Sequence, residues 1–168
     1  MPVFKEYDLS EYLNKKDYET LAREYLKKYP CCSEKNCTHP PLQSDNELWK
    51  DKDFYPIGEK IASIIFNNYK KKFSLQMRMW VYFQKKGTIL DKYEWHNHYR
   101  NETKEEFSFI IYLSNTHLGT LFKENNNIVK LKPKKNILYA WESKYEHTPE
   151  LGKHPENRVV IAGDCLLN

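Results

Sequence analysis

The chain has 168 residues, 40% of them hydrophobic and 30% charged, with a formal net charge of +4. This length suits one ordinary domain around a single core, and the balance excludes a disordered chain. No stretch approaches the ~18 apolar residues of a membrane span, and the start, Met-Pro-Val-Phe-Lys-Glu, has no apolar leader core. The expectation is a soluble, cytoplasmic protein with no membrane partner. The lysines are spread along the chain, with short runs only at 70–72 and at 132–135, where Pro133 interrupts. That pattern reads as a solvated basic face, and no clustered stripe suggests a nucleic-acid partner.

Residues 1–73 read as a helical support region. Tyr18, Leu21, Ala22, Tyr25, Leu26 and Tyr29 recur at the spacing of an amphipathic helix, which Pro30 ends. Ile57, Ile61, Ile64, Ile65 and Tyr69 form a second such stripe. Residues 30–50 lack periodicity and read as a loop. Within it Cys31, Cys32, Cys37 and His39 are metal-binding residue types, but a structural zinc site wants a second ligand pair further on, and none follows. A loop with reduced thiols is the better reading.

The texture changes in residues 74–168. Runs rich in β-branched and aromatic residues recur at Leu75 to Phe83, Tyr93 to Tyr99, Phe107 to Leu113, Thr120 to Phe122, Ile128 to Leu131, Ile137 to Trp141 and Val159 to Leu166. Turn signals separate them, at Lys86-Gly87, Asn125 to Asn127 and Gly152 to Asn157. Many short strands without helices between them predict an antiparallel sandwich or barrel, with the earlier helices packed outside it in a single domain. The aromatic content of 15% supports strands and pocket walls.

Chemistry concentrates in three histidines. His96 and His98 stand in Glu94-Trp-His-Asn-His-Tyr, and His147 in Tyr145-Glu-His-Thr-Pro. On an extended chain His96 and His98 share a face, near enough to hold one ion, and a distant third histidine would complete one face of an octahedron. A lone histidine is more often a surface or satisfied core residue, which is the reading for His39, His117 and His154. Arg158 opens the run Val159-Val160-Ile161-Ala162. Beside a metal pocket its guanidinium is a fork for a carboxylate; without one it is an exposed rim residue.

The order of these pieces resembles the Fe(II)- and 2-oxoglutarate-dependent oxygenases, particularly the prolyl-hydroxylase-like group and small oxygenase-like proteins of bacterial viruses. The likeness runs over about residues 74–167. It is carried by Met79 to Phe83, Lys86-Gly87, Trp95-His96-Asn97-His98, Phe107 to Ser114, Gly119 to Phe122, Lys132-Pro133 before Asn136 to Tyr139, and His147 with Pro149 and Arg158. The resemblance implies a double-stranded β-helix, a jelly-roll or cupin-like barrel flanked by helices. It further implies Fe(II) on His96, His98 and His147, 2-oxoglutarate held through its far carboxylate by Arg158 and Tyr112, and O2 as co-reactant. The implied reaction is oxidative decarboxylation of 2-oxoglutarate to succinate with hydroxylation of a primary substrate that no residue identifies.

One departure stands out. The family's motif places Asp or Glu where this chain has His98, giving a neutral three-histidine set with altered affinity and redox poise. Two other readings stand beside this one. A cupin-like metalloprotein would use the three histidines without 2-oxoglutarate and can leave Arg158 on the surface. A non-catalytic binding module would keep a vestigial metal and present Trp80, Tyr82, Trp95, Tyr99 and Trp141 as a binding surface.

Overall fold

The computed structural model of the chain describes residues 3–31, 43–66, 75–100 and 105–167. In chain order its elements are β1 (Phe4–Asp8), α1 (Ser10–Leu13), α2 (Tyr18–Lys28), a 3-10 turn (Leu48–Lys50), α3 (Tyr55–Ile65), β2 (Leu75–Gln84), β3 (Ile89–Leu90), β4 (Glu105–Tyr112), β5 (Thr120–Glu124), β6 (Asn127–Leu131), β7 (Ile137–Glu142), β8 (His147–Pro149), β9 (Gly152–Lys153) and β10 (Arg158–Leu167).

All strand pairs are antiparallel. Five strands form a large sheet in the order β1-β7-β4-β10-β2, three form a smaller one in the order β6-β5-β8, and β3 pairs with β9. The result is a mainly β, jelly-roll-like double sheet with flanking helices, as the sequence predicts, although the sheets do not close into a continuous cylinder.

Alternation along the strands divides the interior into two layers. On one face of the large sheet Val81, Ile111, Leu138, Val159, Ile161 and Cys165 pack against Leu13, Ala22, Leu26, Phe54, Ile57 and Ile61 from the helical region. On the other face Ile110, Tyr112, Tyr139, Trp141 and Val160 meet Phe122 and Leu131 of the smaller sheet. Asp17 caps α2 by accepting from Thr20 N at 3.1 Å. Pro56 opens α3, where its missing N–H costs nothing. No helix among the described residues is long and apolar enough to cross a membrane.

The structure corrects several expectations. The wholly helical reading of the first seventy residues misses β1, which pairs with β7 through Phe4↔Trp141 to Asp8↔Ile137. An edge strand with Lys5, Glu6 and Asp8 among its five residues is short of apolar signal, so its pairing comes from the neighbour. Residues 43–50, read as loop, bridge to β2 through Gln43↔Tyr82 and Glu47↔Met79. Residues 93–99 are not a strand; His96 alone makes a bridge there. The run 152–157, read as a turn, contains β9. Tyr69, Cys32, Cys37, His39 and the 70–72 lysines lie outside the described residues.

Candidate metal centre

His96 and His98 lie on the extended segment between β3 and β4, and His147 opens β8. Their convergence starts in the backbone. His96 N donates to His147 O at 3.1 Å and His147 N returns to His96 O at 2.9 Å. Residues directly opposite in an antiparallel bridge project to the same side, so these two imidazoles emerge together. His98 is fixed two residues on, where its N–H donates to Ser143 O at 3.1 Å.

The ring centroids of His96 and His147 are 4.4 Å apart, and each lies 5.2 Å from His98. One ligand atom from each residue falls within 4.8 Å of the others. His96 Nδ1 lies 2.8 Å from Glu94 O and His147 Nδ1 lies 3.2 Å from Tyr145 O. A carbonyl only accepts, so both Nδ1 atoms carry the proton and Nε2 is left with a free lone pair for a metal. Burial, then the neighbouring His96, push the His147 imidazole down to about 3, keeping it neutral and available as a ligand. Three imidazole nitrogens fit a divalent transition metal, iron and zinc included. The residues present therefore suit the group.

These histidines line a cavity of about 420 Å³ between the two sheets, a volume typical of small-molecule sites. Trp80 stacks on His98 with centroids 5.8 Å apart, and Trp141 meets His147 edge-on at 5.1 Å. Trp141 Nε1 is buried and has no hydrogen-bond partner among the described residues.

Arg158 lies in the same cavity wall and is only 4% exposed. Its guanidinium donates to Gln84 Oε1 at 3.2 Å and sits over the rings of Tyr82 and Tyr112, 5.7 and 5.3 Å from their centroids. Among the described residues it meets no carboxylate within ion-pair distance. Tyr112 is fully buried beneath it, and its hydroxyl is 3.0 Å from Thr120 Oγ1. Thr120 and Tyr82, rather than Tyr112, face the cavity. The structure thus brings His96, His98, His147 and Arg158 to one cavity and sets Tyr112 immediately behind its wall.

The remaining described histidines stay apart. His117 is exposed and 3.0 Å from Glu156. His154, read as surface or satisfied core, is buried with neither ring nitrogen partnered among the described residues. Its position comes from its backbone, which exchanges hydrogen bonds with Gly87 and Thr88; burial, then the Arg158 charge, disfavour its protonation.

Sequence reasoning missed Asp164, Arg78, Arg100 and Glu106, which gather behind His98. Asp164 carried a readable signal. It is an acid within the apolar run Val159 to Leu166, at an even offset from Arg158, so a strand there must turn both inward.

The sequence matches no known family model, and no curated protein matches it. The fold does match solved structures. The viral collagen prolyl hydroxylase of Paramecium bursaria Chlorella virus-1, in its 2-oxoglutarate complex, superposes with TM-score 0.60 at 12% identity, covering 98% of this chain and 96% of that one. A Pseudomonas putida prolyl-4-hydroxylase gives TM-score 0.61 at 12% identity over 99% and 92% of the two chains. The non-haem α-ketoglutarate-dependent epimerase SnoN of nogalamycin biosynthesis gives 0.70 at 8% identity over 97% and 77%. The chain therefore has the fold of the 2-oxoglutarate/Fe(II) oxygenases.

Proposed function

We propose that this protein is an Fe(II)- and 2-oxoglutarate-dependent oxygenase, with the metal on His96, His98 and His147 and the far carboxylate of 2-oxoglutarate on Arg158. The observation that carries this reading is the guanidinium of Arg158, buried with no carboxylate within ion-pair distance among the described residues, in the cavity that also holds the three imidazoles. A buried charge is costly unless paired, so such a residue marks the seat of an anionic ligand. The same observation favours the oxygenase over the cupin-like reading, which has no need of Arg158 inside the cavity.

Spacing supports a dicarboxylate. Ala162 pairs with Trp80, which stacks on His98, and Arg158 lies four residues back along β10. Four residues of antiparallel strand span about 14 Å. An arginine side chain reaching along the sheet face and a five-carbon diacid held at the histidines fill that length together. Tyr82 and Tyr112 sandwich the guanidinium and fix its direction, Gln84 occupies part of its fork, and Tyr112 holds Thr120 in the wall. Fe(II) with 2-oxoglutarate and O2 supplies the oxidising power, with succinate and CO2 as products. His96, His98 and His147 would hold the metal through their Nε2 atoms, and Trp80 and Trp141 wall the cavity beside His98 and His147.

The test is succinate release with Fe(II), ascorbate and 2-oxoglutarate. The wild-type chain is expected to form succinate slowly even without its primary substrate, and H147A to form none. Metal binding with no succinate, even when 2-oxoglutarate is in excess, would overturn the oxygenase reading in favour of one that uses the metal alone.

A further inference from the structure

We infer that Asp164 is a positioning residue for the metal centre, so that His98 and Asp164 together stand in for the carboxylate ligand absent from position 98. The inference rests on the metal-centre reading above and goes beyond it, because Asp164 touches His98 rather than the metal.

Asp164 is fully buried on β10, paired in register with Arg78 of β2 and Ser108 of β4. Its Oδ1 accepts from Arg78 Nε at 2.9 Å and lies 3.0 Å from Arg100 Nη2. Its Oδ2 accepts from Arg78 Nη2 at 2.8 Å and lies 3.3 Å from His98 Nδ1. Arg100 continues to Glu106, whose Oε1 is 2.5 Å from its Nε. The two guanidinium groups balance the two carboxylates, which makes the burial of these acids tolerable and keeps Asp164 anionic.

An anionic carboxylate only accepts, so His98 presents Nδ1–H to Asp164 and keeps Nε2 for a metal. Trp80 and His147, stacked on His98 at 19° and 14°, hold the ring plane. Carbonyl oxygens serve His96 and His147 in the same way, but His98 alone has a full negative charge behind it. A carboxylate hydrogen-bonded to a ligating histidine raises its basicity and fixes its tautomer, and loss of such a partner costs metal affinity. The charge that the usual motif places directly on the metal is here one side chain further out.

The test measures Co(II) affinity by competition with a chelator for wild type, D164N and Y139F. D164N is expected to lose about 10- to 100-fold in affinity, with a shifted Co(II) visible spectrum. Y139F removes a buried hydroxyl that accepts from Lys134 N and donates to Lys132 O, away from His98 and Asp164, and is expected to keep wild-type affinity and spectrum. Equal losses in both variants, or none in D164N, would overturn the inference while leaving the metal centre intact. No Co(II) binding by wild type would remove both. Should D164N not fold, the imidazole nitrogen NMR signals of the unsubstituted, metal-free chain decide. A protonated Nδ1 on His98 is expected, and an Nε2–H tautomer contradicts it.

Discussion

A guanidinium withdrawn from water ordinarily faces an acid, yet Arg158 faces an amide oxygen and two aromatic rings. This gives a prediction that separates function from stability. R158M keeps the apolar stem between Tyr82 and Tyr112 but removes an uncompensated buried charge, so the ligand-free melting temperature is expected to stay or rise. Its KM for 2-oxoglutarate is expected to rise about tenfold or more, the worth of one charge-assisted bond. A lower melting temperature with unchanged KM would assign Arg158 to the framework. At this scale the sequence was legible where residue types are chemically distinctive: His96, His98, His147 and Arg158 converge as their types and order suggested. Arg78, Arg100 and Glu106 were not legible as site residues, because two bases and an acid acquire those roles only from the neighbours that strand pairing gives them.

Among the elements, β10 carries the most. One of its faces lines the cavity through Arg158, Val160 and Ala162 and buries Asp164 behind it, while the other packs Val159, Ile161 and Cys165 against the helices. Gly163 marks a close approach in this strand. A Cβ there would lie 2.3 Å from Arg78 O and 2.5 Å from the Phe109 ring. G163A is expected to destabilise the fold by about 2–3 kcal/mol through overpacking, read as a lower urea midpoint. An unchanged midpoint would mean that β2 and β10 can separate without cost. Strands with alternating or continuously apolar runs, such as β2, β4, β7 and β10, were legible from pattern alone. β1, β3, β8 and β9 were not, being too short or too polar, and 93–99 looked like a strand because Tyr93, Trp95 and Tyr99 alternate there with Glu94, His96 and His98, the residues that line the cavity.

For the whole molecule, acid is the sensitive direction. The His147 pKa falls from 6.5 to about 3 on folding, so between those values the unfolded chain binds a proton that the folded chain refuses. Stability is therefore full above pH 6.5 and declines as pH drops toward 3. From this group alone the metal-free protein is expected to lose about 2 kcal/mol between pH 7 and pH 5. His154, also lowered by burial, acts in the same sense. Urea midpoints at the two pH values check this, and equal midpoints would contradict the burial of a neutral His147.

The most direct measurement is a crystal structure of the chain prepared without oxygen in the presence of Fe(II) and 2-oxoglutarate. The account predicts one metal bound by His96, His98 and His147, with a dicarboxylate running from it to Arg158. A metal bound elsewhere, or a ligand whose far carboxylate ignores Arg158, would contradict it.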